Sequence, residues 1–427
     1  MVVAFAIIIT AMICLLPNSS SPYVFKSVIR RPRAIRDRFP FRCSSSPSSS
    51  WFDASGSNIG ELLSEGPNKI DHDNNDDDDG GGDDGADVAT KKHFAFTPNR
   101  PPLSKHILRD KIVLHFRDDL HTLPGPYLKG NKSRKFKGLM ELLSEQGDID
   151  CIVSHGGAQS NAMVALAAIG SYTNTEIMYY SKKPGRWLRN NPSGNYLRAT
   201  SLGINFSWLT ESEYADLFPH QPMLDPPLDP VGGKKCLWVP QGGAMPLSES
   251  GCNDLALDIY RSLPDDAPIA VVIPAGTGTT ALFVHLHLQS LCAKLGPKDV
   301  KVFAVSCSST KAYLHSQMST LLSSLKSHDS SSQNAEPLPT LLDPYVAFGA
   351  VSKPVLNSWR EAKDAGIYVD LVYGAVAIKT VFDCWDREDN DLKGRMVMLV
   401  NTGGLEGVAS MWNRYKHKGW VEDFELE

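Results

Sequence analysis

The sequence lacks the signatures of several classes of protein. None of its eight cysteines forms a CxxC pair, and no Cys/His spacing resembles a zinc site, so we predict no metal site and a reducing compartment. The net charge of −5 at pH 7 offers no positive excess for nucleic acid, so we expect no such partner. Neither the GK[ST] ending of a P-loop nor a GxGxxG dinucleotide fingerprint is present. The hydrophobic content of 42% is that of an ordinary soluble globular protein.

The first part of the chain reads as a targeting segment rather than as a fold. Residues 2–16 are apolar, but a membrane-spanning helix needs about 20 such residues, so we expect no membrane partner. An arginine-rich stretch and the run "CSSSPSSS" follow, with very few acids. This composition predicts an organelle transit peptide over residues 1–52, for the mitochondrion first and the chloroplast second. A secretory signal is disfavoured because the positive charge follows the apolar run instead of preceding it.

An acidic segment comes next. Nine Asp residues lie between positions 71 and 87, with Gly and Asn among them. Such a segment cannot bury apolar surface, so we predict a disordered linker over residues 53–93. The Asp spacing lacks the twelve-residue loop ending in Glu that a calcium site requires.

From about residue 94 onward, short apolar runs alternate with helical patterns. "NAMVALAAIG" (161–170) is apolar all round and predicts a buried helix. Strands that alternate with helices predict an α/β fold with mostly parallel sheets and helices on both faces. Seven runs rich in β-branched and aromatic residues predict the strands: "DCIVS" (150–154), "EIMYYS" (176–181), "INFSWL" (204–209), "CLWVP" (236–240), "IAVVIP" (269–274), "KVFAVS" (301–306) and "VMLVN" (397–401).

Three loops follow predicted strands and lead into predicted helices. They are "HGGAQSN" after "CIVS", "AGTGTT" after "VVIP" and "TGGLEG" after "VMLVN". Ligands of parallel sheets bind at this carboxyl end. Glycine exposes backbone N–H groups and a helix N-terminus adds partial positive charge, so "GTGTT" is a candidate phosphate cradle. Each loop alone is weak evidence, but the run "GNKSRKFKGL" (130–139) adds a lysine behind a Gly-Asn turn, and together they favour a site.

The order of these motifs resembles that of one enzyme group, the pyridoxal-phosphate (PLP) enzymes of fold type II that include D-cysteine desulfhydrase and 1-aminocyclopropane-1-carboxylate (ACC) deaminase. Among them the chain looks most similar to the plant organellar D-cysteine desulfhydrases. The resemblance runs from about residue 98 to the C-terminus and rests on "RDDL" (117–120), "GNKSRKFKGL", "GGAQSN", "SGNYLRATSLG" (193–203), "PQGGA" (240–244), "GTGTT", "DLVYG" (370–374) and "NTGG" (401–404).

The resemblance implies a two-domain, tryptophan synthase β-like fold and a homodimer. The large PLP-binding domain would comprise residues 94–135 and 246–427, and the small α/β domain residues 136–245. Lys132 matches the lysine that binds PLP covalently, and Arg134 and Lys135 become ordinary polar positions of the following helix. Ser160 matches the active serine, and Tyr373 matches a further catalytic residue. The implied cofactor-binding positions are Lys132, Asn161 at the ring oxygen, the phosphate loop Gly276, Thr277, Gly278, Thr279 and Thr280, and Thr402.

The activity that the resemblance implies is β-elimination of D-cysteine to pyruvate, hydrogen sulfide and ammonia. A free lysine has a pKa of about 10.4, and burial lowers it, which leaves an amine able to bind the cofactor and to take the Cα proton. Two alternatives remain open. One is a lyase or deaminase of another small amino acid, and the other is a PLP-binding protein with little turnover.

Two positions depart from the family pattern. ACC deaminases carry Glu after the tyrosine of "VY" and the desulfhydrases a hydroxyl residue, but this chain has Gly374. Gly374 offers no carboxylate to the pyridine nitrogen, which disfavours opening of a cyclopropane, and Thr402 matches the desulfhydrase residue of the last loop. Phe348 stands where relatives tend to have Tyr, so we expect slower turnover or a shifted substrate.

Overall fold

The structure is a computed structural model that describes residues 101–219, 233–326, 338–387 and 392–422. The predicted transit peptide (1–52) and acidic linker (53–93) lie outside the described residues. Within the described ranges, no helix is both long enough and apolar enough to cross a membrane.

The described residues form ten strands in two sheets. Their bounds are β1 Leu103–Leu108, β2 Lys111–Phe116, β3 Cys151–His155, β4 Glu176–Lys182, β5 Asn205–Leu209, β6 Cys236–Val239, β7 Ile269–Ala275, β8 Val300–Ser306, β9 Thr340–Leu342 and β10 Met396–Val400. The larger sheet has the order β1-β2-β10-β7-β8-β9 and the smaller one β5-β4-β3-β6. Strand β1 pairs antiparallel with β2, and the other pairs in both sheets are parallel.

Helices connect the strands. Their bounds are α1 Gly130–Glu145, α2 Asn161–Thr173, α3 Arg186–Asn190, α4 Gly194–Ser201, α5 Glu211–Leu217, α6 Glu249–Ser262, α7 Thr279–Leu295, α8 Lys311–Lys326, α9 Lys353–Asp364, α10 Gly374–Trp385 and α11 Val408–Lys416. All seven predicted strands and the buried helix after β3 are confirmed, and the short strand β9 and the first hairpin were not predicted.

The hairpin β1–β2 turns through two residues in the left-handed region. Arg109 has φ 48° and Asp110 has φ 59°, and the flanking Leu108 and Lys111 pair directly across the turn. Positive φ at both central positions defines a type I′ turn, which the right-handed twist of the two strands favours. The hairpin adds an antiparallel edge to a sheet that is otherwise parallel.

Side chains of the larger sheet alternate between two cores. On β10, Val397 and Leu399 face the core that contains residues of α9, α10 and α11. Met398 and Val400 face the opposite core, which contains residues of α6, α7 and α8. The larger sheet is therefore covered by helices on both faces, as the sequence predicts.

The smaller sheet packs one face against α1 and α2 through residues such as Ile152, Ile177 and Val239. Its other face carries a smaller cluster of Cys151, Val153 and Met178. Helix α1 contacts α2 on the side of the smaller sheet and α6 on the side of the larger one, so it lies between the two layers. All four strands of the smaller sheet fall between residues 136 and 245, although the domain boundaries themselves remain a prediction.

Candidate active site

The three glycine-containing loops lie at the carboxyl ends of strands. Residues 156–160 join β3 to α2, residues 276–278 join β7 to α7, and residues 401–407 join β10 to α11. The first and third loops approach each other, because a Cβ atom placed on Gly404 would lie 3.6 Å from Asn161 Nδ2. The carboxyl ends of both sheets therefore contribute to one region.

The Gly-Asn turn at the start of α1 contacts both the loop after β10 and the start of α7. Gly130 has φ +56°, and a Cβ atom there would lie only 2.7 Å from the carbonyl oxygen of Thr402. The Asn131 N–H donates to the same oxygen at 3.1 Å, and Thr280 Oγ1 donates to Asn131 Oδ1 at 2.5 Å. Glycine is required at position 130 because the chain must approach the Thr402 backbone in a left-handed conformation.

Lys132 lies in the first turn of α1 and is partly buried. Its side chain makes no hydrogen bond or ion pair with any of the described residues. Burial lowers the pKa of Lys132 to about 8. Burial also raises the pKa of Cys252 to about 12, so its thiol is neutral near pH 7 and provides no counter-charge. Lys132 is thus an amine that loses its proton more easily than a solvated lysine.

The interpretation of Arg134 and Lys135 as ordinary polar positions is wrong, because both side chains are buried. Arg134 Nε donates to Asp118 Oδ1 at 2.9 Å and its Nη2 donates to Asp258 Oδ2 at 2.8 Å, which anchors α1 to its neighbours. Lys135 Nζ donates to Thr277 Oγ1 at 3.2 Å. Burial, together with the nearby Lys132, holds the pKa of Lys135 well below its usual range.

The loop after β7 has the features of a phosphate cradle. Gly278, with φ +75°, precedes α7 and has no side chain to cap the N–H groups of the first helical turn. A Cβ atom at position 278 would lie 2.6 Å from Met318 Cγ of α8, so a larger residue does not fit. Thr277 Oγ1 and Thr279 Oγ1 hydrogen-bond each other at 2.9 Å. Free N–H groups, hydroxyls and a helix N-terminus are the groups that bind anions.

Ser160 and Asn161 begin α2. Ser160 Oγ accepts hydrogen bonds from the N–H groups of Ala162 (3.2 Å) and Met163 (3.4 Å), which makes it the N-cap. Its side chain also hydrogen-bonds the hydroxyl of Tyr179. Asn161 Oδ1 accepts a hydrogen bond from Asn195 Nδ2 at 2.6 Å.

Tyr373 precedes α10 and lies against the phosphate-cradle loop. A Cβ atom on Gly276 would lie 3.5 Å from the Tyr373 hydroxyl oxygen, and burial raises the pKa of Tyr373 above its usual range. Phe348 is 58% exposed, and its ring centroid lies 6.1 Å from that of Tyr373. The first turn of α10 is held by Asp370, whose carboxylate accepts the N–H groups of Val372, Tyr373 and Gly374 at 2.7–2.9 Å.

Gly374 leaves no room for a side chain. A Cβ atom built there would lie 2.5 Å from the Val369 Cβ and 3.1–3.2 Å from its methyl groups. Val369 therefore occupies the space that a side chain at position 374 would need, which explains the glycine at this position. Thr402, the other discriminating position, contributes its carbonyl oxygen to the turn at Asn131, and its hydroxyl makes no hydrogen bond to the described residues.

The structure brings the sequence-assigned residues into one connected region, through the contacts Lys135–Thr277, Thr280–Asn131, Asn131–Thr402, Asn161–Gly404 and Gly276–Tyr373. Sequence reasoning gave no role to Lys135, Asn131, Asn195 or Asp370. A signal existed for Lys135, since residues i and i+3 of a helix share a face and Lys132 stands three positions earlier.

No family model matches the chain. Among solved structures, it is similar to the crystal structure of an ACC deaminase homologue, with 19% identity over 78% of this chain and 98% of that chain and a TM-score of 0.59. It is also similar to the processed form of threonine deaminase isoform 2 from Solanum lycopersicum (13% identity, 75% and 88% of the two chains, TM-score 0.47). A hydrogen sulfide-producing enzyme from Fusobacterium nucleatum gives 11% identity, 73% and 88% of the two chains and a TM-score of 0.48.

The similarity to the ACC deaminase homologue is one of fold, because the identity of 19% is too low to transfer an activity. Two sheets of parallel strands, with helices around them and loops meeting at their carboxyl ends, account for the match. The chain therefore has the mixed α/β fold of the fold type II PLP enzymes.

Proposed function

We propose that the protein is a PLP-dependent carbon–sulfur lyase that converts D-cysteine to pyruvate, hydrogen sulfide and ammonia. The observation that carries the proposal is the pair of lysines on one face of α1. Lys132 has a pKa lowered to about 8 and no bonded partner among the described residues, and Lys135 is bonded to the phosphate-cradle loop. One lysine is suited to a covalent bond with an aldehyde, and the other to a phosphate.

The residues present fit PLP. Thr277, Thr279 and Thr280, with the N–H groups at the start of α7, would hold the phosphate, and Lys135 would add a positive charge. A phosphate dianion beside Lys135 would favour its protonated form and so offset the cost of burying it. Lys132 would bind the cofactor covalently, and Asn161 would face its ring oxygen. When bound, PLP supplies an electron sink for the carbanion formed at Cα.

Three side chains of this chain would act on the substrate. Lys132 would be the base that takes the Cα proton, since its lowered pKa keeps part of the amine unprotonated near neutral pH. Ser160 Oγ, held by two backbone N–H groups and by the Tyr179 hydroxyl, would lie near the reacting carbon. Tyr373 stays protonated because burial raises its pKa, and its hydroxyl is a donor beside the phosphate-cradle loop. The sulfur leaves Cβ as hydrogen sulfide, and hydrolysis gives pyruvate and ammonia.

Position 374 favours elimination over cyclopropane opening. A carboxylate at the pyridine nitrogen strengthens the electron sink, and Val369 leaves no space for one on residue 374. Expulsion of sulfur from Cβ needs a weaker sink than opening of a cyclopropane. The exposed Phe348, which has no hydroxyl, favours the second candidate, a PLP-binding protein with little turnover.

The test uses the whole chain loaded with PLP, in three forms: wild type, Lys132→Ala and Lys129→Ala. Lys129 is an exposed lysine directly before α1 and serves as the matched control. We expect equal amounts of sulfide and pyruvate from D-cysteine with the wild type and the control, and none with Lys132→Ala. Borohydride reduction followed by peptide mapping should place the cofactor on Lys132.

Each other outcome has a distinct meaning. Bound PLP without sulfide from either isomer of cysteine would replace the lyase by the PLP-binding protein. Product from L-cysteine alone would redirect the proposal to another small amino acid. Failure of the wild type to bind PLP would overturn the proposal altogether.

A further inference from the structure

Asn195 carries a buried side-chain amide that hydrogen-bonds residues at the start of α2 and also Arg198, which reaches the loop after β10. It lies in the first turn of α4 and is 7% exposed. Its Nδ2 donates to Asn161 Oδ1 at 2.6 Å and to the carbonyl oxygen of Gln159 at 3.1 Å, and its Oδ1 accepts from Arg198 Nη1 at 3.1 Å. All three polar contacts of this side chain are therefore with other protein groups.

These contacts fix which way both amides point. A backbone carbonyl accepts only and a guanidinium donates only, so Asn195 must turn Nδ2 toward Gln159 and Oδ1 toward Arg198. Because Nδ2 of Asn195 is a donor, the atom of Asn161 that meets it must be the acceptor Oδ1. The Nδ2 of Asn161 is left on the opposite side, where it faces Gly404 in the loop after β10. The orientation of the Asn161 amide thus follows from a carbonyl that can only accept and a guanidinium that can only donate a hydrogen bond.

The turn that carries Asn195 is built to keep it in place. Gln159 Oε1 accepts the Asn195 N–H at 2.8 Å, and Gln159 Nε2 donates to the Ser193 carbonyl oxygen at 3.1 Å. Gly194 has φ +59°, a conformation that glycine adopts without strain, and a Cβ atom there would lie 2.8 Å from Gln159 Oε1 and displace this hydrogen-bond acceptor. At the other end Arg198 Nη1 reaches the Glu406 carbonyl oxygen at 3.5 Å, in the loop that follows β10.

We propose that Asn195 is a positioning residue that locks the Asn161 amide with its NH2 group toward the bound cofactor. The inference rests on the proposed function. An Asn161 held in this way offers a donor and never an acceptor, so it stabilises an ionised oxygen on the ring of PLP. Without Asn195 the Asn161 amide can rotate and present its own oxygen to that anion. Asn195 therefore affects the affinity for PLP and the ionisation of its ring oxygen through Asn161, without touching the substrate.

The experiment compares the wild type with Asn195→Ala and Asn195→Asp, which keeps the shape but cannot donate. Two quantities are measured: the Kd for PLP added to the cofactor-free protein, and the pH midpoint of the visible absorption of bound PLP. A hydrogen bond to a charged group stabilises by about 1.5–3 kcal/mol, so we expect the Kd to rise about tenfold or more in both variants. The pH midpoint should rise, since loss of the donor destabilises the ionised oxygen.

Two further variants separate positioning from mere structural support. In an Asn161→Ala background, Asn195→Asp should change neither the Kd nor the midpoint further, because the residue through which it acts is gone. Arg198→Met, at a partly exposed position, should shift both quantities in the same direction by a smaller amount and remains available if the Asn195 variants do not fold. The control is Asn191→Asp, since Asn191 is exposed and bonds only the carbonyl oxygen of Trp187 among the described residues.

Failure of this inference differs from failure of the proposed function. A wild type that binds PLP normally, with Asn195→Asp and Arg198→Met unchanged in Kd and midpoint, overturns the inference alone. A full additional effect of Asn195→Asp in the Asn161→Ala background does the same. A wild type that binds no PLP overturns the proposed function and this inference with it.

Discussion

Lys135 of helix α1 donates a hydrogen bond to Thr277 at 3.2 Å and so joins α1 to the loop that follows β7. The two residues are far apart in the sequence; Lys135 is buried and Thr277 is partly buried. A lysine that is kept at a lowered pKa by burial costs stability unless an anion binds beside it. We propose that the phosphate of PLP is the anion that binds beside Lys135 and offsets this cost.

Lys135→Ala should weaken the binding of PLP without weakening that of pyridoxal, which has no phosphate. Loss of a hydrogen bond to a charged group costs about 1.5–3 kcal/mol, so the Kd for PLP should rise about ten- to hundredfold. Titration of the cofactor-free protein, followed by fluorescence, measures both ligands. Lys137→Ala is the control, because Lys137 lies on the same helix and pairs with Asp254. An equal loss for pyridoxal and PLP would contradict the assignment to the phosphate.

The covalent loading of PLP should depend on pH through Lys132. Only the unprotonated amine attacks an aldehyde, and burial lowers the pKa of this amine to about 8. The initial rate of loading should therefore rise about tenfold per pH unit below that value and level off above it. Stopped-flow absorption of the cofactor-free protein measures the rate. A rate that still climbs steeply at about pH 10, where a solvated lysine titrates, would show that Lys132 is not desolvated.

Much of the fold was predictable because parallel strands buried on both faces appear as short continuous apolar runs. Strands β3 and β7 are buried along their whole length, whereas β5 and β6 are only partly buried and were predicted from their β-branched and aromatic residues. The hairpin β1–β2 was missed for the opposite reason: β1 is an edge strand with alternating exposure, and the Arg109-Asp110 turn carries neither Asn nor Gly. Strand β9 has three residues, too few for any periodicity.

The site was predictable where glycine, threonine and serine mark a loop, and less so where a role depends on a distant partner. The resemblance made Lys135 an ordinary polar position of its helix, and its partner Thr277 belongs to a loop that is distant in the sequence. Asp370 has backbone N–H groups as partners, which no side-chain motif reveals. Gly374 was recognised as a departure, but only the structure identifies Val369 as the reason that glycine is needed.

Gly374→Ala should destabilise the protein, although replacing glycine by alanine within a helix usually stabilises it by about 0.5–1 kcal/mol. The added Cβ would lie 2.5 Å from Val369 Cβ, and overpacking of this kind costs about 1–3 kcal/mol. Urea unfolding gives the free energy of unfolding. Gly407→Ala is the matched control, since a Cβ there meets nothing within 4 Å. A stabilised Gly374→Ala variant would show that glycine is not sterically required, and that a side chain bearing a carboxylate could fit at this position.

Phe348→Tyr should raise kcat/KM for D-cysteine while leaving the free energy of unfolding unchanged. The ring is 58% exposed and lies 6.1 Å from that of Tyr373, so an added hydroxyl costs less than about 0.5 kcal/mol and lies near a residue of the candidate site. One new hydrogen bond to a substrate is worth about 1 kcal/mol, which corresponds to about a fivefold gain.

The control for Phe348→Tyr is Tyr345→Phe, three residues earlier, where the side chain is 76% exposed. Tyr345 carries a hydroxyl on the same segment, and its removal should leave kcat/KM unchanged. If Tyr345→Phe lowers kcat/KM and Phe348→Tyr has no effect, the hydroxyl is already supplied by Tyr345. Phe348 would then not limit turnover, and the alternative of a PLP-binding protein with little turnover would lose the observation that favours it.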